Sequence, residues 1–238
     1  MNKALFWDFD GTLVYNSGYI WDDSLHEVLM ELGYNIELEK IYQHCSSKSN
    51  EMVKIAFSWH TPGIAYTDAV GHIWWDNFHK KCEPFFNHYA ISKEDAEKSI
   101  LHIKKNILSV DSYNLYEDSA TVLGKCMELG FRNYILSNNY PELPDIIKDL
   151  GLADYFVDYI VSANVGYEKP RFEIFQYARN VAGLPDICYM IGDNPVADIQ
   201  GGKAAGMKTI LVNKDSIFDA DYLCKNLSEI PIVLHRFN

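Results

Sequence analysis

Positive charge is scarce in this 238-residue sequence. Lys and Arg number 21 against 33 Asp and Glu, a formal net charge of −12 at pH 7. A nucleic-acid or anionic-membrane binder shows a basic patch, so neither partner is expected. A small anion is still admissible, because a site can be locally positive inside an acidic chain. Paired cysteines are lacking too. Cys45, Cys82, Cys126, Cys188 and Cys224 are odd in number and widely spaced, with no Cys-x-x-Cys. They read as reduced, buried thiols of a cytoplasmic protein, not as a disulfide frame or a zinc site. No apolar run approaches the roughly 18 residues of a membrane span. The run Ala4–Trp7 before Asp8 is too short for a secretory signal peptide. Repeats and low-complexity stretches are also absent. A hydrophobic fraction of 48% is enough for a real core, and the length suits one large domain or one with a sizeable insertion.

Short continuous apolar runs at Ala4–Trp7, Tyr134–Leu136, Cys188–Ile191 and Thr209–Val212, with a weaker one at Tyr159–Val161, read as strands covered on both faces. Between them lie helical patterns. Ser119–Leu129 is closed by Gly130, and Pro141–Leu150 by Gly151. Pro170 reads as the first residue of a helix ended by Gly183. Asn194-Pro195 reads as N-cap and first residue of a helix ended by Gly206. Strand and helix alternate from about residue 115 onward, which predicts a doubly wound parallel sheet. The first strand is separated from this array by a domain-sized stretch with no strand-like alternation. That stretch reads as amphipathic helices at about Tyr19–Leu32, Asn50–Trp59, Asp68–Phe86 and Lys93–Leu108. The expected architecture is an α/β core of residues 1–14 and 114–238, with an all-helical domain, 15–113, inserted after the first strand.

Ligands of open α/β sheets bind beyond the carboxyl ends of the strands. The first strand ends in Asp8-Phe9-Asp10-Gly11-Thr12, the Tyr134 strand in Ser137-Asn138-Asn139, and the Cys188 strand in Gly192-Asp193-Asn194-Pro195-Val196-Ala197-Asp198. Polar and acidic side chains distant in sequence therefore meet at one sheet edge. Asp8-x-Asp10-Gly11-Thr12, Ser137, Lys169-Pro170 and Gly192-Asp193-x-x-x-x-Asp198 occur in that order. Together they resemble the four motifs of the haloacid dehalogenase-like hydrolase superfamily. The resemblance covers nearly the whole chain, and the helical insertion matches the cap of its small-molecule phosphatases in position and kind.

The resemblance implies a Rossmann-like core and an Mg²⁺-dependent phosphatase working through an aspartyl-phosphate. Asp8 is then the nucleophile. Asp10, on the same face two residues on, protonates the leaving oxygen and later deprotonates water. The implied metal ligands are the carboxylates of Asp8 and Asp193 and the Asp10 backbone carbonyl, with Asp198 in support or as a further ligand. Mg²⁺ suits this all-oxygen set and lets a phosphate dianion approach carboxylates. The Ser137 and Lys169 side chains and the Asn138 backbone N–H would hold phosphate oxygens, and Thr12 would steady the loop after the first strand and bond near Asp10. Asp10 distinguishes phosphate chemistry from the dehalogenase-like members, which lack an acid there. A sugar phosphomutase uses the same two aspartates and is the alternative, with a non-catalytic regulator of the same fold as a third reading. Close relatives often carry Asp-Ser where this chain has Asn16-Ser17, which leaves the chemistry intact but weakens transfer of a substrate identity. The implied substrate is a small phosphorylated metabolite, with Trp21, Ser47, Lys48 and Trp59 as pocket-lining candidates. His72 and His79 share a helix face but lack a third ligand for a metal site. Of the adjacent Trp74 and Trp75, at least one belongs in the core. Oligomeric state is not legible.

Overall fold

A computed structural model describes residues 1–15, 20–46, 63, 65, 67–215 and 218–235. It divides into two compact units. One contains Met1–Tyr15, Pro62–Val70 and Asn114–Asn238, the other Asn16–Thr61 and Gly71–Tyr113.

The first unit is built on strands β1 (Lys3–Trp7), β2 (Val14–Tyr15), β3 (Asn114–Leu115), β4 (Arg132–Ser137), β5 (Phe156–Val161), β6 (Ile187–Gly192), β7 (Lys208–Val212) and β8 (Tyr222–Cys224). Six of these form a parallel sheet in the order β5-β4-β1-β6-β7-β8. The order runs outward in both directions from β1, which places the switch in direction at its carboxyl end. Residues in register share a face: Phe6 aligns with Tyr134 on one side and Met190 on the other. All three are buried with Ile174, Phe175 and Ala178 of the helix Phe172–Val181. Each such fully buried side chain contributes roughly 1.5–3 kcal/mol. This explains why the strands read as unbroken apolar runs. Asn133, a buried polar residue in β4, is satisfied: it accepts from Trp7 Nε1 at 3.0 Å and donates to the Leu123 and Tyr155 carbonyls.

Three features depart from expectation. The strand Tyr222–Cys224 is too short to stand out in the sequence. The helix after Lys169 begins at Phe172, not at Pro170, because residues 168–171 form a turn closed by Arg171 N–H to the Glu168 carbonyl at 2.9 Å. The helix after Asn194 opens as expected, with Asn194 Oδ1 accepting from the Val196 and Ala197 amides at 3.0 Å each. Yet its first stretch, Pro195–Gln200, is a π-helix, and α geometry holds only over Gly201–Ala204. Here the Asp198 side chain folds back to accept from Asn194 N–H at 2.9 Å.

β2 and β3 form a separate antiparallel pair. The segment around Gly63–Val70, midway through the long insertion, belongs to this first unit. Ala65 bridges Tyr167, and a Cβ on Gly63 would lie 2.4 Å from the Glu168 carbonyl.

In the second unit, the helices are Ile20–Glu31, Leu38–Ser46, Trp74–His88 and Lys93–Ile107. The second of these is not among the helices expected from the sequence, and on it Ile41 alone among the described side chains is a fully buried large apolar residue. The expected helix Asn50–Trp59 lies outside the described residues. Trp74 and Trp75 are both buried, with Phe78, Cys82, Phe85 and Phe86 on the same helix. Ser92 caps the last helix by accepting from Asp95 N–H at 3.1 Å. No helix among the described residues is long and apolar enough to cross a membrane. The four described cysteines are all free and buried.

Candidate active site

The loop after β1 is tight. The Phe9 carbonyl accepts from the amides of Thr12, Leu13 and Val14 at 3.3, 2.9 and 3.2 Å, and Gly11 N–H reaches the Val14 carbonyl at 2.8 Å. Gly11 adopts φ +72°, and a Cβ there would lie 2.6–2.8 Å from the Asp193 carboxylate. Both conformation and space demand glycine at this position. Asn213, at the end of β7, locks the loop from outside by donating to the Gly11 carbonyl at 2.8 Å. The expected hydroxyl contact of Thr12 is not formed. Thr12 is fully buried and its Oγ1 has no hydrogen-bond partner among the described residues. The loop is held through its main chain and Asn213 instead.

The sheet brings Asp8, Ser137, Lys169, Asp193 and Asp198 together. Asp8 N–H continues the β1–β6 pairing by donating to the Ile191 carbonyl at 2.9 Å. Its side-chain Oδ1 accepts from Ser137 Oγ at 2.8 Å and from Lys169 Nζ at 2.9 Å. Lys169 also contacts Asp198 Oδ1 at 2.6 Å. Burial works against the Lys169 ammonium, but Asp198 and Asp8 outweigh it and raise its pKa. Burial, then the charge of Asp8, raises Asp198 to about 8. The same two causes, in that order, raise Asp193, with Lys214 at 3.1 Å opposing them.

These carboxylates have the makings of a cation site. Oxygens of Asp8, Asp193 and Asp198 lie within 4.8 Å of one another, and all three residues are buried. Asp193 Oδ1 is buried with no hydrogen-bond partner among the described residues. Leaving an acceptor so costs about 1–3 kcal/mol or more, unless a ligand meets it. An all-oxygen donor set suits a hard cation such as Mg²⁺. Gly192 belongs to this arrangement, for a Cβ there would fall 2.1 Å from Asp198 Oδ2.

The other expected residues take more specific places. Asn138 does not present its side chain to the carboxylates. It clasps the Lys169 backbone, accepting from Lys169 N–H at 2.7 Å and donating to the Lys169 carbonyl at 3.0 Å. Asp10 Oδ2 accepts from Asn139 Nδ2 at 2.7 Å. Sequence reasoning passed over Asn139 and Lys214, since each sits in a run of ordinary turn residues. Trp21 packs on Phe78, ring centroids 4.4 Å apart, within the helical unit. Ser47, Lys48 and Trp59 lie outside the described residues.

A parallel sheet carrying an acidic cluster, a lysine and a serine at its carboxyl edge defines a doubly wound α/β core with a cation-ready site. Residues 2–206 match the haloacid dehalogenase-like hydrolases, and the chain belongs to that family. It is 31% identical over 104 residues to a phosphoserine phosphatase of Thermus thermophilus, covering 43% of this chain and 42% of that protein. It is 26% identical over 246 residues to human N-acylneuraminate-9-phosphatase, covering 99% of this chain and 95% of that one. The chain spans about two fifths of the length of the first curated relatives it matches, 42% and 41%. Among solved structures, the putative HAD-hydrolase YfnB of Bacillus subtilis bound to magnesium shares the fold, with TM-score 0.72 and 19% identity over 98% of this chain and 99% of that one.

Proposed function

We propose that the chain is an Mg²⁺-dependent phosphatase of a small phosphorylated metabolite. The observation that carries this reading is the buried Asp8 carboxylate, met by both Ser137 and Lys169 on one oxygen and flanked by Asp193 and Asp198. Family membership and relatives named as phosphatases support it.

An oxygen of Asp8 attacks phosphorus while the bond to the leaving oxygen breaks. Asp10 gives its proton to that oxygen, so the leaving group departs as an alcohol. Water then attacks the aspartyl-phosphate, Asp10 takes a proton from it, the acyl phosphate P–O bond breaks, and Asp8 is restored. Lys169 and Ser137 donate to phosphoryl oxygens, positioned by the same reach with which they hold Asp8. Asp8 and Asp193 would hold Mg²⁺ with the Asp10 carbonyl, and Asp198 would orient Lys169. A bound Mg²⁺ supplies the positive charge that offsets the carboxylates as a phosphate dianion approaches. Substrate choice is assigned to the helical insertion, with Trp21, Ser47, Lys48 and Trp59 as the candidate residues. The acidic balance and buried free thiols fit a cytoplasmic enzyme with neither nucleic acid nor membrane as partner.

Phosphate release from an aryl phosphate and a broad panel of phosphorylated metabolites, with Mg²⁺ or with chelator, tests the reading. Hydrolysis that needs Mg²⁺ and vanishes in Asp8→Asn is expected. Absence of hydrolysis with every ester, or full activity in Asp8→Asn, would sink it.

A further inference from the structure

We propose that Asn139 is a positioning residue that fixes the orientation of the Asp10 carboxyl for proton transfer, an inference that rests on the phosphatase reading above. The amide is oriented by its own neighbours. Tyr140 N–H donates to Asn139 Oδ1 at 2.9 Å, so the oxygen of the amide is spoken for as an acceptor. The nitrogen therefore faces Asp10 and donates to Oδ2 at 2.7 Å. An amide NH₂ has no acceptor capacity. When Asp10 carries its proton, Oδ2 is held as the accepting, carbonyl-like oxygen and the O–H resides on Oδ1. The proton is then presented from one defined atom.

The support for Asn139 is unusually complete for a residue in a turn. It is 2% exposed. Its main-chain N–H donates to Ser162 Oγ at 3.1 Å, and its carbonyl accepts from Ala163 N–H at 3.4 Å. Ser162 and Ala163 open the short helix Ser162–Val165 directly after β5. A brace from the edge strand β5 thus reaches, through Asn139 at the end of β4, to the carboxyl of Asp10 beyond the end of β1. Asp10 itself is half-buried in the loop after β1. Orientation of a reacting group to within a fraction of an ångström is worth a large rate factor, and the amide removes alternatives that would aim the proton away from the leaving oxygen.

The test compares steady-state kinetics of Asn139→Leu, Ser162→Ala and Asp10→Asn on an alkyl phosphate and on 4-nitrophenyl phosphate, whose leaving group needs little protonation. Asn139→Leu keeps the side-chain outline and removes the donor to Asp10, along with the acceptor for Tyr140 N–H. It is expected to lose about tenfold or more in kcat on the alkyl ester, a part of the 10²–10⁴ that a general acid supplies. Its KM should stay within about twofold, and its loss on the nitrophenyl ester should stay below about threefold. Ser162→Ala loosens the same turn without touching Asp10. It should lower the melting temperature and leave the ratio of the two substrates unchanged. Should the leucine variant fail to fold, Asn139→Ala removes the amide without adding bulk or charge, and the same substrate discrimination is expected. Equal losses on both esters, or a pattern matching Ser162→Ala, overturn the role of Asn139 while leaving the phosphatase reading in place, provided Asp10→Asn still discriminates. If Asp10→Asn also fails to discriminate, Asp10 is not the acid, and the proposal falls with that assignment.

Discussion

Lys169 donates to Asp198 across 2.6 Å, with neither side chain more than 1% exposed. The same ammonium reaches Asp8 at 2.9 Å. One buried cation therefore serves two carboxylates that would otherwise repel each other, and Asn138 holds its backbone from both sides. Lys169 thus ties the proposed nucleophile at the end of β1 to Asp198 beyond the end of β6.

Lys169→Met is expected to lower kcat by about 10²–10³-fold, the usual effect of removing one preorganised donor from a developing oxyanion. It also leaves Asp198 and Asp8 without their partner. Breaking a buried pair from one side costs about 3–5 kcal/mol. In the metal-free protein this cost should be larger at pH 8 than at pH 5, because protonation of Asp198 relieves it. Denaturant unfolding at both pH values measures the difference. An unchanged stability would show that the pair is replaced by solvent or by another cation.

The raised pKa values of Asp193 and Asp198 give a stability profile of definite sign. Burial comes first among the causes for both, then the charge of Asp8. Above the ordinary carboxylate pKa near ~4, the folded state then binds more protons than the unfolded state, so stability falls as pH rises. For Asp198 the fall continues to about pH 8. Lys169, whose pKa is raised, keeps its contribution throughout that window. With chelator present, the melting temperature should drop between pH 5 and pH 8, by about 2–4 °C for each kcal/mol lost. Asp198→Asn should flatten the profile, and saturating Mg²⁺ should reverse it by engaging the deprotonated carboxylates. A melting temperature that climbs over this range in chelator would contradict the assignment.

Gly11→Ala should damage the cation site more than the fold. Its φ of +72° makes any side chain costly, and its Cβ would meet Asp193 at 2.6 Å. Gly130 offers a control, with φ +82° and nothing within 4 Å of an added Cβ. Gly130→Ala should cost only the conformational strain, about 1 kcal/mol. Gly11→Ala should cost that amount and also weaken Mg²⁺ binding about tenfold or more by moving the Asp193 carboxylate. Calorimetric titration of Mg²⁺ into each variant separates the two, and equal affinities would show that the carboxylate shifts without harm.

The chemistry was legible wherever a buried strand ends in a polar residue. Asp8, Ser137 and Asp193 each follow an unbroken apolar run, and alternation with helices dictates that those ends meet. The details that depend on side chains crossing between loops were not legible. Asn139 looks like any turn asparagine until the tertiary fold sets Asp10 beside it. Thr12 looks like a hydroxyl donor, yet its buried Oγ1 has no hydrogen-bond partner among the described residues. The start of the helix after Lys169 was misplaced because proline is equally at home in the first turn of a helix and in the turn before it. The π geometry of Pro195–Gln200 accompanies a contact of the Asp198 carboxylate with the Asn194 N–H, which spacing alone does not reveal. In the helical unit, Leu38–Ser46 escaped notice because it buries so little.

Lys214 supplies the last prediction. Its Nζ lies 3.1 Å from Asp193 Oδ2, at a position where its side chain is 37% exposed. It acts on a cation at Asp193 in two opposing ways. It keeps Asp193 more readily ionised, which favours metal binding at low pH. It also occupies one carboxylate oxygen and repels a second positive charge, which disfavours binding at every pH. As pH rises the Asp193 carboxylate ionises without help, and only the second effect is left. Lys214→Met should therefore bind Mg²⁺ more tightly at pH 8.5, by about three- to tenfold, a modest repulsion because solvent and salt screen a partly exposed ammonium. The gain should shrink or invert at pH 6, where Asp193 has lost the cation that helped it ionise. Calorimetric titrations at the two pH values decide the matter. Weaker binding at both would mean that Lys214 orders Asp193 for the cation and does not compete with it.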